Sequence, residues 1–156
     1  MADRIEPDRY EKLHIKLVGL KDNFTMAERE RIPDLWRKFM PRFGTIPSQV
    51  GRKVYGVSMH TDAAGCFGYM PAVEVASFDE VPSDLTALTL DAPRYAVFAY
   101  HGGIPGMQAL VDRIGAEWRP EATAPHRAYL IERYAEDFDP QTASGGIDIL
   151  VPVAAE

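Results

Sequence analysis

The sequence contains a single cysteine, Cys66, among 156 residues. A lone thiol excludes an internal disulfide framework and any CxxC metal site, and is read as a small packing residue. The four histidines, His14, His60, His101 and His126, show neither HxH nor HxxxH spacing, and no carboxylate stands at a helical offset that would complete a zinc site. No metal and no other cofactor is expected. Basic residues are also in deficit, with 17 Lys and Arg against 23 Asp and Glu, a net charge of −6 and a pI near 5.2. That balance opposes direct nucleic-acid binding, which needs clustered cations to neutralise phosphates, and weakly favours cationic partners. Long apolar runs are missing too: the stretch Tyr95 to Tyr100 has strand length, far short of a bilayer span, so no membrane association is expected. The charged segment Met1 to Pro7 has no apolar stretch that marks secretion, and a cytoplasmic location is expected. There is no GxSxG elbow, Walker lysine or dinucleotide fingerprint, so the Gly102 to Gly106 segment is read as a tight strand-to-helix turn.

What is present is an ordinary globular composition, 46% hydrophobic and 26% charged, in a chain of single-domain length (residues 1–156). Within it a pattern recurs. Ile32, Leu35, Trp36, Phe39 and Phe43 form an amphipathic helical stripe, and 75 residues later Met107, Leu110, Val111, Ile114 and Trp118 form the same one. At the same offset Val54 to Val57 aligns with Tyr129 to Glu132, and Ala72 to Val75 with Ile147 to Leu150. The repeat predicts two half-units, about 13–77 and 92–153, each β-α-β-β. The expected fold is α+β: duplicated units form an antiparallel-rich sheet with two main helices on one face and a ligand groove between them. The other face must be partly covered, solvated or used in association.

Local signals support this order. Apolar positions 15, 17 and 18 mark a first strand, and Thr25 with Glu28 has capping-box spacing before a helical stretch that Pro33 starts or kinks. Pro41 and Gly44 close that helix. Strands follow at about 53–60 and 68–77, and residues 78–91 read as a link. Arg94 to His101 is the clearest strand, and Pro105 is well placed to open the second helix, which ends before Pro120. Arg127 to Tyr134 and Gly146 to Val153 supply the last strand pair.

Candidate chemistry concentrates at Glu132. The strand period of two puts Ala128, Leu130, Glu132 and Tyr134 on one side, so the acid shares its face with apolar and aromatic neighbours. On a groove wall such a carboxylate is costly unless protonated, hydrogen-bonded or paired, and an organic cation would pair it. On a solvated face, or beside an arginine, it would be unremarkable chemically. Trp36, Tyr69, Phe98, Trp118 and Tyr134 are candidate aromatic walls for a bound cation. Trp36, at the centre of its stripe, is read first as a core-packing residue, and Trp118, at a helix end, can border a groove. Tyr69 shares a face with Phe67 and Pro71 and either walls the groove or covers the sheet.

Four segments together resemble a known family. Ala92-Pro93-Arg94-Tyr95-Ala96-Val97-Phe98 is similar to its P-x-x-Y-A-V-F strand, Trp118-Arg119-Pro120 to its W-L-P helix exit, and Leu130-Ile131-Glu132-Arg133-Tyr134 to its F-E-x-Y strand; Ile147 to Val153 closes the set. The chain thereby resembles a stand-alone GyrI-like domain, the effector-binding domain of AraC-type and multidrug-sensing transcription regulators, from about Leu13 to Val153. Arg119 and Ile131 depart from the usual Leu and Phe. The resemblance implies a groove between two helices, Glu132 as the acid facing hydrophobic or cationic ligands, and Tyr95, Trp118 and Tyr134 as aromatic positions. It implies a ligand-sequestering or sensing role without a DNA-binding module of its own. It also implies two rivals. One is a hydrolase of electrophilic or strained-ring compounds using Glu132 with Tyr69 or Tyr134; the other is a gyrase-inhibitor-like role with a protein partner.

Overall fold

Period-two alternation dominates the chain, and the structure, a computed structural model, turns it into strands that meet at the middle of one sheet. It describes residues 6–60, 66–91, 94–100, 104–117, 129–136 and 145–153. The described strands are β1 Arg9–Glu11, β2 Ile15–Gly19, β3 Asp22–Thr25, β4 Gln49–His60, β5 Cys66–Val75, β6 Thr86–Leu90, β7 Arg94–Tyr100, β8 Tyr129–Tyr134 and β9 Ile147–Val153. Their order is β1-β7-β9-β8-β4-β5-β2-β6, with β3 pairing β5 off this path. Every pairing is antiparallel. The seam between the two halves of the chain is β4 against β8, from Val54↔Tyr134 to Met59↔Tyr129.

The helices are unequal. α1, Ile32–Phe39, has 8 residues and lies between 3-10 turns at Met26–Arg31 and Met40–Arg42, whereas α2, Ile104–Glu117, has 14. The fold is thus α+β with one main helix and one short one, which corrects the expectation of two main helices. The Thr25 and Glu28 spacing does form a cap, with the Thr25 N–H donating to Glu28 Oε1 at 2.9 Å, but it opens the 3-10 turn and not the α-helix. Pro41 removes a donor two residues past the end of α1 and limits its length.

The order of the six inner strands is unchanged when β2, β4 and β5 are exchanged with β7, β8 and β9 and the sheet is read from the other end. A constant offset of 75 does not survive in the pairing. It would carry Val54↔Val73 onto Tyr129↔Asp148, yet Asp148 pairs with Arg133, four residues further on. It would carry Leu17↔Glu74 onto Ala92↔Ile149, yet Ile149 pairs with Phe98, six residues further on. Both slips are even, so the inward and outward alternation survives them.

Helix-facing residues include Val18 and Val73 under Phe39 of α1, and Phe98, Tyr134 and Ile149 beneath Met107 and Ile114 of α2. Both helices therefore pack on the same side. The opposite side buries Leu17, Tyr55, Val57, Met70, Leu90, Tyr95, Val97, Ile131 and Leu150 in one continuous cluster. Every strand from β7 to β6 contributes to that cluster, and the sheet curls around it: Glu11 of β1 meets Arg133 of β8, three strands away in the order. At the β1 end, Arg133 donates to Glu11 at 2.8 and 3.1 Å and to Asp148 at 2.7 Å. The Arg133 hydrogen bond holds the Glu11 carboxyl down at about 2. Among the described residues no helix is long and apolar enough to cross a membrane.

Leu17 is fully buried inside the curl and Val50 is 44% exposed. Leu17→Ala is expected to cost about 2–5 kcal/mol in denaturant unfolding. Val50→Ala should change stability by less than about 0.5 kcal/mol, as surface substitutions do.

Candidate functional site

Glu132 leaves β8 toward the helices together with Leu130 and Tyr134, while Ile131 joins the cluster inside the curl. Its cross-strand neighbour on β4 is Gly56. A Cβ at position 56 would stand 2.2 Å from Tyr69 Oη and 2.8 Å from Glu132 Oε1. The bare glycine is what lets the phenol of β5 pass over β4 to reach the carboxylate of β8.

Two phenols converge on one oxygen. Tyr69 Oη donates to Glu132 Oε1 at 2.8 Å and Tyr134 Oη donates to the same atom at 2.5 Å. Trp36 Nε1 in turn donates to Tyr69 Oη at 3.2 Å. The indole stands edge-on to both rings, 5.4 Å from Tyr134 and 6.4 Å from Tyr69 between centroids. Glu132 is 7% exposed, and the two tyrosines are 3% each. No cation pairs with the carboxylate among the described residues. Burial therefore pushes the Glu132 carboxyl above its ordinary range, against the phenol hydrogen bonds that favour the ionised form. Burial, then the neighbouring carboxylate, raises both phenols well above theirs, so they remain donors.

The cluster forms one wall of a cavity of about 640 Å³. Apolar lining comes from Ile32, Pro33 and Trp36 of α1, Met40 and Phe43 just after it, Val54 of β4 and Met107 of α2. Arg29, Arg37, Arg52, Ala135 and Glu136 complete the lining. The cavity is thus lined by residues of both helices and by the central strands β4, β5 and β8.

Of the residues singled out from sequence, Glu132, Tyr134, Tyr69 and Trp36 meet here. Tyr95 does not. It is 1% exposed and packs inside the curl, because its position in β7 has the opposite parity to the helix-facing Ala96 and Phe98. Phe98 faces the helices but is sealed with Met107 and Ile149 and does not line the cavity. Trp118 lies outside the described residues. Gly56 was not among the sequence candidates; a glycine inside an otherwise apolar strand is the signal that marks such a close approach. The apolar contribution of Met40, Phe43 and Val54 carries no motif.

The sequence pattern of the GyrI-like small molecule binding domain matches residues 10–154. No functionally curated protein matches the chain. Among solved structures, similarity extends over nearly whole chains at low identity. SAV2435, solved bound to tetraphenylphosphonium, superposes with a TM-score of 0.70 at 20% identity, covering 94% of this chain and 93% of that one. A candidate bacterial transcription regulation protein from Staphylococcus aureus MU50 gives 0.67 at 20% identity, covering 94% and 97%. The integron cassette protein VCH_CASS2 from the mobile metagenome of Vibrio cholerae gives 0.63 at 16% identity, covering 93% and 94%.

Two outcomes follow from the geometry. Gly56→Ala should cost about 1–3 kcal/mol, as overpacking does, and should separate Tyr69 from Glu132, seen as a changed tyrosine ultraviolet spectrum. The raised Glu132 carboxyl binds its proton more tightly in the folded than in the unfolded chain. Its contribution to stability is therefore complete below the ordinary carboxylate range and is lost as pH rises through the folded value. Unfolding measured across a pH series should show that decline in the native chain and a shallower one in Glu132→Gln.

Proposed function

We propose, from the premise that this chain belongs to the GyrI-like small molecule binding domain family, that it binds a hydrophobic, cationic organic molecule in the cavity, with Glu132 as charged anchor. The observation that carries this reading is a buried carboxylate held by two neutral donors and by no cation among the described residues. Such a group stays partly uncompensated until a positive charge arrives. A cation against it would also face Trp36 and Tyr134, each contributing about 0.5–2 kcal/mol of cation-π attraction. The cavity volume of about 640 Å³ suits a drug-sized ligand. Tetraphenylphosphonium bound to SAV2435 is a ligand of that chemistry on a similar fold. The role is multidrug-type sequestration or sensing in the cytoplasm, reported to a partner where transcription is regulated. The cavity sits over the β4 and β8 seam, where we read the two β-α-β-β halves as meeting.

A second reading, hydrolysis, is favoured by one feature: both phenols donate to the oxygen that a general base would use. Glu132 would take a proton from water as the water oxygen bonds to an electrophilic carbon. The strained bond at that carbon would break, and its departing atom would take a proton from Tyr69 or Tyr134. The proton on Glu132 would then restore the phenol, for a net addition of one water.

Calorimetric titration separates these readings. Glu132→Gln should weaken tetraphenylphosphonium about tenfold, equivalent to ~1.4 kcal/mol, and spare neutral triphenylphosphine oxide. Equal loss for both compounds, or none, removes the anchor role. A strained-ring electrophile incubated with substoichiometric protein should be recovered intact; Glu132-dependent product would instead establish the enzyme.

A further inference from the structure

The cavity has a second charged end. In a chain with 23 acids and 17 bases, its lining holds three arginines and two glutamates, a local reversal of sign. The arginines differ in their commitments. Arg37 is ion-paired with Asp34 on α1, and Arg29 has an interaction of its own. Arg52, exposed at the cavity edge, has neither a hydrogen bond nor an ion pair among the described residues. Glu136 lines the same edge, exposed and likewise not ion-paired with Arg52.

Arg52 and Gly56 lie on the same strand four residues apart, and Gly56 faces Glu132. The register of β4 against β5 shifts between Gln49 and Val54, so four residues of extended chain, about 13 Å, set the upper limit on the backbone separation, and the Arg52 side chain lines the cavity. A simple lipophilic cation gains at Glu132 but meets guanidinium groups at the other end. A molecule with an anionic group remote from its cation matches both.

We propose that the cavity selects amphoteric ligands: an apolar body with a cationic end at Glu132 and a carboxylate or phosphate at Arg52. This rests on the cation-binding reading above and narrows its ligand class. Arg52 is the specificity-determining residue, since Arg37 is already neutralised by Asp34. The contact lies at the solvent edge, so its effect is modest and falls with salt.

The test uses two triphenylphosphonium probes with alkyl tails of the same length, one ending in a carboxylate and the other in the neutral primary amide. Calorimetry on the full chain should show the carboxylate binding about three- to fivefold more tightly at low salt, the range of an exposed ion pair, with the advantage shrinking as salt is added. Arg52→Gln, an exposed substitution, should abolish the advantage, with the cationic amide probe binding at least as tightly as to the native chain once the guanidinium is removed. Equal affinities in the native chain overturn the inference and leave the cation reading standing. An advantage that persists in Arg52→Gln overturns the assignment to Arg52. If neither probe binds, the cation reading falls and takes the inference with it.

Discussion

The cavity depends on how one charge is stabilised. Glu132 is buried, where an unpaired carboxylate costs several kcal/mol, and among the described residues the fold answers with hydrogen bonds and without a counter-charge. Phenols suit that task. They stabilise the ionised form through short bonds, yet they add no positive charge that would repel an incoming cation. A lysine or arginine in place of Tyr69 would satisfy the acid internally and leave little to be gained from a ligand. Trp36 extends the arrangement by holding Tyr69 from behind, so its hydroxyl proton points at the carboxylate.

The rest of the architecture keeps this cluster assembled while leaving space above it. The curled face is buried among the described residues without either helix in its cluster, and both helices pack on the other. α1, bounded by 3-10 turns and by Pro41, packs Trp36 against the cluster that holds Met107 and Ile114 of α2, and residues of both helices line the cavity. The unfilled space lies over β4 and β8, where Gly56 has already removed the side chain that would separate Tyr69 from Glu132. The cavity and the missing Cβ fall on the same pair of strands.

Much of this was legible in local patterns. Period-two alternation placed Glu132 with Leu130 and Tyr134 and against Ile131, and the strong strands β2, β4, β5, β7, β8 and β9 fall where apolar runs mark them. What escaped is what local pattern does not encode. β1 lies in a polar leader, and its place is fixed by backbone pairing to β7 and by the Glu11–Arg133 contact across 122 residues. β6 lies in a stretch that reads as a link, and becomes a strand by pairing with β2. The curl is a property of accumulated twist and of contacts between distant strands. Tyr95 is different, because parity held the information: Tyr95 and Phe98 are three residues apart in one strand and point to opposite faces, so they do not share a groove. A family motif carries residues forward without their faces, and alternation restores them.

Arg133 provides an internal comparison for the meaning of a buried charge here. It adjoins Glu132 on β8 and is buried to nearly the same degree, 8% exposed against 7%. If both charges served only to fix the register of the sheet, both would be expected to have partners of opposite sign, since an uncompensated buried ion is the costly case. Arg133 does: Glu11 and Asp148 flank it, from β1 and β9. Glu132 has none among the described residues, although arginines line the same cavity. The chain thus neutralises the charge that points away from the cavity over β4 and β8 and leaves the one that opens on it to neutral donors. Sheet packing alone does not require that asymmetry. It follows directly if the missing positive charge belongs to the ligand.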